Sequence, residues 1–144
     1  LKTMNKLPKP KSKKSLEKKL DKIFSEFIRL RDTDDNGYCR CFTCGNWGFW
    51  KNEGMQNGHF ITRGVKATKF NEMNCHVQCV RCNHHLKGNL HVYRMKLVEM
   101  YGKEEVERLE HLAAMGGSDC AYSLELKIAE YNEKVKRLKN EKCL

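Results

Sequence analysis

Leu16, Leu20, Ile23, Phe24, Phe27 and Ile28 recur at steps of mostly three and four residues, the period of one face of a helix. This spacing predicts a helix that opens at Ser15, whose hydroxyl can accept an unpaired first-turn amide. It should close near Asp32, before the turn-rich Asp34-Asp35-Asn36-Gly37. The pattern then changes. Residues 38–42 can alternate as a strand, residues 43–46 place a glycine at a knuckle, and residues 47–51 resume an extended aromatic run. Residues 56–61 form a further candidate strand, and residues 62–74 an irregular basic loop long enough to carry function. Helical spacing returns near Cys79 and continues through Leu86, Leu90, Tyr93, Leu97 and Tyr101 to a break at Gly102. A shorter helix is predicted over residues 103–115, with Gly116-Gly117-Ser118 as a joint. Leu124, Ile128, Tyr131, Val135 and Leu138 form the apolar stripe of a last helix, capped by Ser123. There is no internal repeat. The order of helix, small β-rich region and further helices is that of an α+β protein.

Charge adds a partner to this picture. The 144 residues hold 28 Lys and Arg against 18 Asp and Glu, a net of +10. Residues 1–22 carry nine lysines against Glu17 and Asp21, a net of +7, and the other 122 residues supply only +3. Residues 1–14 lack periodicity and contain both prolines, so they are expected to be a disordered basic arm. A domain of one helix, the β-rich region and the helices after it then spans 15–115 and a C-terminal helix 118–144. Such an arm suits a polyanion, nucleic acid being the commonest, with Lys11, Lys13 and Lys14 among the phosphate contacts. No apolar run approaches the ~18 residues of a membrane span, and no signal-peptide pattern is present. The expected location is therefore cytoplasmic.

Hydrophobic residues make up 40% of the chain, enough for a modest core that usually needs a staple. Eight cysteines offer one. Four fall as Cys41-Phe42-Thr43-Cys44 and Cys79-Val80-Arg81-Cys82. Two residues between cysteines let both thiolates grip one ion from a tight turn, and two pairs complete the tetrahedral set that structural zinc prefers. In a reducing compartment this pattern favours zinc over four disulfides. Cys39 and Cys75 could each replace one of the four or sit in the core, while Cys120 and Cys143 read as ordinary thiols. The 34 residues between the pairs exceed a compact zinc finger and contain His59, Arg63, Asn74 and His76.

Asn57-Gly58-His59-Phe60 lies in a predicted strand, Asn74 precedes Cys79 by five positions, and Asn83-His84-His85 follows Cys82 directly. This arrangement resembles the HNH nuclease motif in its zinc-knuckle variant, a ββα-metal fold of two strands and a helix around one catalytic ion. Residues 58–60 (GHF), 70–83 (FNEMNCHVQCVRCN), 85–89 (HLKGN), Tyr93 and 27–32 (FIRLRD) narrow the resemblance to the phage NinG (Rap) recombination endonucleases, over roughly residues 24–140. The resemblance implies a structure-selective endonuclease acting on branched DNA such as Holliday junctions and D-loops, with Mg²⁺ or Mn²⁺ at the catalytic centre and a homodimeric assembly. It makes His59 the general base, Asn74 the residue that holds the loop and orients the histidine, and Asn83 the terminal metal ligand, with His85 a second candidate there. Many HNH nucleases carry an acidic ligand just before the base, where this chain has Gly58. His59 can therefore be a metal ligand as well as, or instead of, a base. His76 is open to a ligand role and to a structural one.

The residue types suit phosphodiester hydrolysis. A histidine with an ordinary pKa near 6.5 can accept water's proton at neutral pH, and a divalent ion with few protein ligands can take phosphate oxygens. Arg63 and Lys66 of the long loop are expected to grip neighbouring phosphates. The competing readings are a non-catalytic, zinc-stabilised DNA-binding module and a secreted disulfide-rich basic protein.

Overall fold

The computed structural model describes residues 9–51 and 54–144. Residues 1–8, most of the expected basic arm, lie outside that range. Helix α1 runs Lys13–Arg31, the β1–β2 hairpin joins Tyr38–Arg40 to Trp47–Phe49, and β3 (Met55–His59) pairs antiparallel with β4 (Cys75–Cys79). Helices α2 (Leu90–Tyr101), α3 (Lys103–Met115) and α4 (Ala121–Lys142) follow, so the chain is a mixed α+β protein with short sheets. No helix among the described residues is long and apolar enough to cross a membrane.

The two amphipathic helices predicted at either end of the sequence pack on each other. Leu16, Leu20, Phe24, Phe27 and Ile28 of α1 are buried with Leu124, Ile128, Tyr131 and Val135 of α4. Phe24 meets Tyr131 edge-on at 4.9 Å between centroids. The Lys142 ammonium closes the pair by donating to the carbonyls of Leu30 (2.7 Å) and Thr33 (2.6 Å), satisfying acceptors at the end of α1. The same core continues into Cys39, Trp50, Met55 and Val77 of the β region. A second, smaller cluster of Tyr93, Leu97 and Val106 joins α2 to α3, with Phe42 and Phe60 against it.

Three boundaries differ from the periodicity. Helix α1 starts at Lys13 because Ser12, not Ser15, is the cap; its hydroxyl accepts from the Ser15 amide at 3.2 Å. Lys13 and Lys14, expected in a disordered arm, are thus helical, and Lys13 donates to Ser118 at 2.8 Å. Helix α2 starts at Leu90 rather than near Cys79. Residues 75–79 are strand, residues 81–85 form a single wide turn, and Lys87, Gly88 and Asn89 all have positive φ, which no α-helix accommodates. Finally, α4 is capped at Cys120, whose sulfur accepts from the Ser123 amide, while the Ser123 hydroxyl donates to Asp119 at 2.7 Å.

Candidate active site and metal centre

The knuckle between β1 and β2 and the wide turn after β4 bring two cysteine pairs together. The ligand sulfurs of Cys41, Cys44, Cys79 and Cys82 all lie within 4.8 Å of one another. Cys44 and Cys79 are 3.7 Å apart, far beyond a disulfide bond and close to the ~3.8 Å edge of a tetrahedron with Zn–S bonds of ~2.3 Å. All eight cysteines are free. Burial pushes the Cys41 thiol up, but the amides of Cys44, Cys79 and Thr43 and the Thr43 hydroxyl outweigh it and bring the thiol down to about 6. Burial and the neighbouring sulfurs push Cys44 up to about 12. Four sulfurs this close therefore fit a cation, and the cluster can hold a metal such as zinc. Cys39 and Cys75 are buried outside the cluster, and burial raises both thiols.

The β3–β4 pair carries the other candidates. In β3, residues 57 and 59 share a face while Gly58 points to the other. His59 and Asn83 line one cavity of about 310 Å³, together with Asn57, Arg63, Lys87 and Gly88. Asn57, Arg63 and Asn83 also line an adjoining cavity of about 450 Å³ against Asp21, Lys22, Ser25 and Arg29 of α1. The His59 ring is held through Nε2, 2.9 Å from the Lys69 carbonyl. Its Nδ1 is buried with no partner among the described residues, as is Oδ1 of Asn57. With Nε2 donating to the carbonyl, Nδ1 carries the free lone pair. Burial, followed by the charge of Arg63, holds the His59 imidazole below its ordinary value, so the ring is neutral at pH 7.

Asn74 is fully buried and ties the loop after β3 to its base. Its Nδ2 donates to the carbonyls of Ile61 (3.0 Å) and Thr68 (3.1 Å), and its Oδ1 accepts from the Ile61 amide at 2.7 Å. Asn83 donates to Gln56 at 2.8 Å, which leaves its carbonyl oxygen for a ligand. His85 is exposed beside His84 and lines neither cavity. His76 is buried, stacked on Phe42 at 4.1 Å and 3.0 Å from the Tyr101 hydroxyl, which is a structural position. Arg63 and Lys66 are not free. Their heads pair with Asp21 and Glu17 on α1, and the Lys66 ammonium lowers the Glu17 carboxyl.

The absence of an acidic residue before His59 has a steric cause. A Cβ on Gly58 would come 2.1 Å from Oε1 and 2.7 Å from Cγ of Gln78. Gln78 is fully buried and its Nε2 donates to the Gly88 carbonyl (2.9 Å) and the Thr43 hydroxyl (3.1 Å), so moving it aside would break both bonds. Sequence reasoning missed Asn57, whose two-residue offset from His59 already places it on the same face. It also missed Asp21, whose only link to the site is through the fold.

A family model described as Bacteriophage Lambda NinG protein matches residues 2–141. The chain belongs to the NinG family. It is 34% identical over 124 residues to Protein ninG of Escherichia phage lambda, covering 85% of this chain and 57% of that protein. Identity is 32% to Protein ninG of Escherichia phage 933W, at 85% and 58% coverage, and 32% to that of Salmonella phage P22, at 85% and 57%. The chain thus spans a little over half the length of these NinG relatives. No solved structure matches.

Proposed function

We propose that this NinG-family chain is a metal-dependent DNA endonuclease of the HNH, ββα-metal type, acting on branched DNA such as Holliday junctions and D-loops. The carrying observation is the His59 ring, fixed at Nε2, with an unpartnered, buried Nδ1 beside a cavity shared with Asn57 and Asn83. Two antiparallel strands followed by a turn and a helix, with a four-cysteine cluster joining that turn to the β1–β2 hairpin, support the same reading. In it the cluster holds zinc and keeps the wide turn, and with it Asn83, against β3. Nδ1 of neutral His59 takes the proton from the attacking water. Asn74 acts on the loop rather than on the substrate, because its amide bonds fix Ile61 and Thr68. The buried oxygen of Asn57 and the carbonyl of Asn83 fit a hard divalent ion, Mg²⁺ or Mn²⁺, and His59 can add a third donor instead of, or besides, acting as the base. When bound, that ion would supply positive charge to the scissile phosphate and its leaving oxygen.

DNA phosphates would reach Arg63 and Lys66 only by displacing Asp21 and Glu17, while Lys11 and Lys14 are exposed at the start of α1. A homodimer would place two such sites on a symmetric four-way junction. The test is cleavage of a synthetic four-way junction beside a linear duplex, with and without Mg²⁺ or Mn²⁺, by wild type and His59→Ala. His59 makes no bond to the cysteine cluster, so the variant should fold and bind DNA while cleavage falls ~10²–10⁴-fold. Near-normal cutting by a folded, zinc-loaded His59→Ala protein would defeat the proposal. DNA binding with no cutting by wild type under any ion would favour a zinc-stabilised binding module.

A further inference from the structure

The β1–β2 hairpin has a second face that the proposed nuclease site does not use. Its register sets Tyr38 opposite Phe49 and Arg40 opposite Trp47, with Cys39 opposite Gly48 between them. Cys39 turns into the core, and Gly48 lies so close to Met55 that a Cβ would come 2.7 Å from its methyl carbon. Alternation then sends Tyr38, Arg40, Trp47 and Phe49 together to the outside. The three rings are 49%, 63% and 38% exposed in the order Tyr38, Trp47, Phe49. The Tyr38 and Phe49 rings meet edge-on at 5.5 Å, and the Arg40 guanidinium lies 5.6 Å from the centre of the Trp47 ring. The face is thus three aromatic planes and one guanidinium, with no aliphatic side chain on it.

We infer that this face binds unpaired nucleobases by stacking. Bases present π-faces to rings and to guanidinium planes alike, which is how proteins hold single strands without reading their sequence. A cavity of about 370 Å³ opens beside it, lined by Tyr38, Arg40, Trp47, Phe42, Asp34 and Met100 among others. Asp34 decides which part of the strand enters. Its Oδ1 accepts from the amides of Asn36 and Tyr38, and its other oxygen can accept from the N–H groups on a base edge while repelling phosphate. The base therefore enters and the backbone stays outside with Arg40, in a chain of net charge +10. This rests on DNA being the partner and extends that reading, since a D-loop carries a displaced single strand whose bases are unpaired.

The two tryptophans make the test direct: Trp47 is exposed and Trp50 is 2% exposed, so an emission change on adding DNA reports Trp47. The zinc-loaded full chain is titrated with a short mixed-sequence single strand, the matching duplex, and a strand of the same length without bases. The single strand should quench Trp47. Trp47→Ala should weaken single-strand binding roughly 5- to 100-fold, leave duplex binding within about twofold, and Trp47→Phe should restore most of the loss. The inference is overturned if the single strand leaves Trp47 emission unchanged, or if the base-free strand binds and quenches equally well. Equal weakening of duplex and single strand by Trp47→Ala would also overturn it, as would a proline-rich peptide that quenches where the oligonucleotide does not. Junction binding without single-strand quenching removes this inference alone, whereas failure to bind DNA in any form removes the nuclease reading with it.

Discussion

Replacing Gly58 by alanine tests why the position before His59 carries no side chain. The backbone at 58 is not in the left-handed region, so a methyl group there costs nothing in φ and ψ. Its cost comes from Gln78, whose Oε1, Cδ and Cγ lie 2.1, 2.7 and 2.7 Å from the new carbon. Displacing a fully buried side chain costs about 1–3 kcal/mol in overpacking. Losing its bonds to Gly88 and Thr43 adds about 1 kcal/mol each. Gly58→Ala should therefore destabilise by about 3–5 kcal/mol in urea melts run at one fixed excess of zinc. Gln78→Ala alone should cost about 2–3 kcal/mol, because it orphans the Gly88 carbonyl and takes one of two partners from the Thr43 hydroxyl, which keeps the Cys41 sulfur. The double variant should cost little more than Gln78→Ala, since the methyl enters vacated space. The cycle then shows a favourable coupling of about 2 kcal/mol or more. Costs that add within about 0.5 kcal/mol, or a Gly58→Ala protein as stable as wild type, would refute the reasoning. Gly58→Asp should be worse still, and should gain no affinity for Mn²⁺.

Two further outcomes follow from the cluster and from His76. Cys79→Ser should release the metal and unfold the β region, because a four-thiolate site contributes its binding energy to folding; one zinc per folded wild-type chain by metal analysis, and none with the variant, is the expected result. Burial, and then the charge of Arg31, pushes the His76 imidazole down to about 4, whereas the unfolded chain titrates near 6.5. Between those values the unfolded chain takes up a proton that the native ring refuses. Stability from this group is thus complete above pH 6.5 and falls towards pH 4 by about 3 kcal/mol. His76→Gln should flatten the loss between pH 7 and pH 5 relative to wild type, and parallel curves for the two proteins would exclude the ring as its source.

What the sequence made legible is what local spacing controls. The stripes of α1 and α4 name the residues that bury, Gly102 does end α2, and the two Cys-x-x-Cys pairs do converge. The failures share a cause in tertiary contacts. Leu86 and Leu90 step like helix residues, yet both are exposed, and the left-handed run at 87–89 between them is held by Gln78 on the Gly88 carbonyl. Arg63 and Lys66 look like free phosphate ligands until α1, some 40 residues earlier, supplies their carboxylates. Ser12 outcompetes Ser15 as a cap because helix can extend back to Lys13, and hydroxyls three residues apart are equivalent to a pattern reader. His59, Asn74 and Asn83 were nominated by resemblance; the shared cavity and the orphaned Nδ1 are facts of packing that no spacing encodes.

The pairing of α1 with α4 also sets a clock on synthesis. Helix α1 leaves the ribosome before α4, and the apolar stripe that covers it begins at Leu124, more than ninety residues later. At ~5–20 residues per second, Phe24, Phe27 and Ile28 wait roughly 5–20 s without their partner. During that interval the nascent chain displays a sticky ridge, and closing so long a loop comes late even in free refolding. Capture of a metal such as zinc by the two cysteine pairs would shorten that search, since it would fasten the segment between α1 and α4 before those helices meet. Starvation for zinc would therefore show first as aggregation of newly made chains, before any loss from the folded pool.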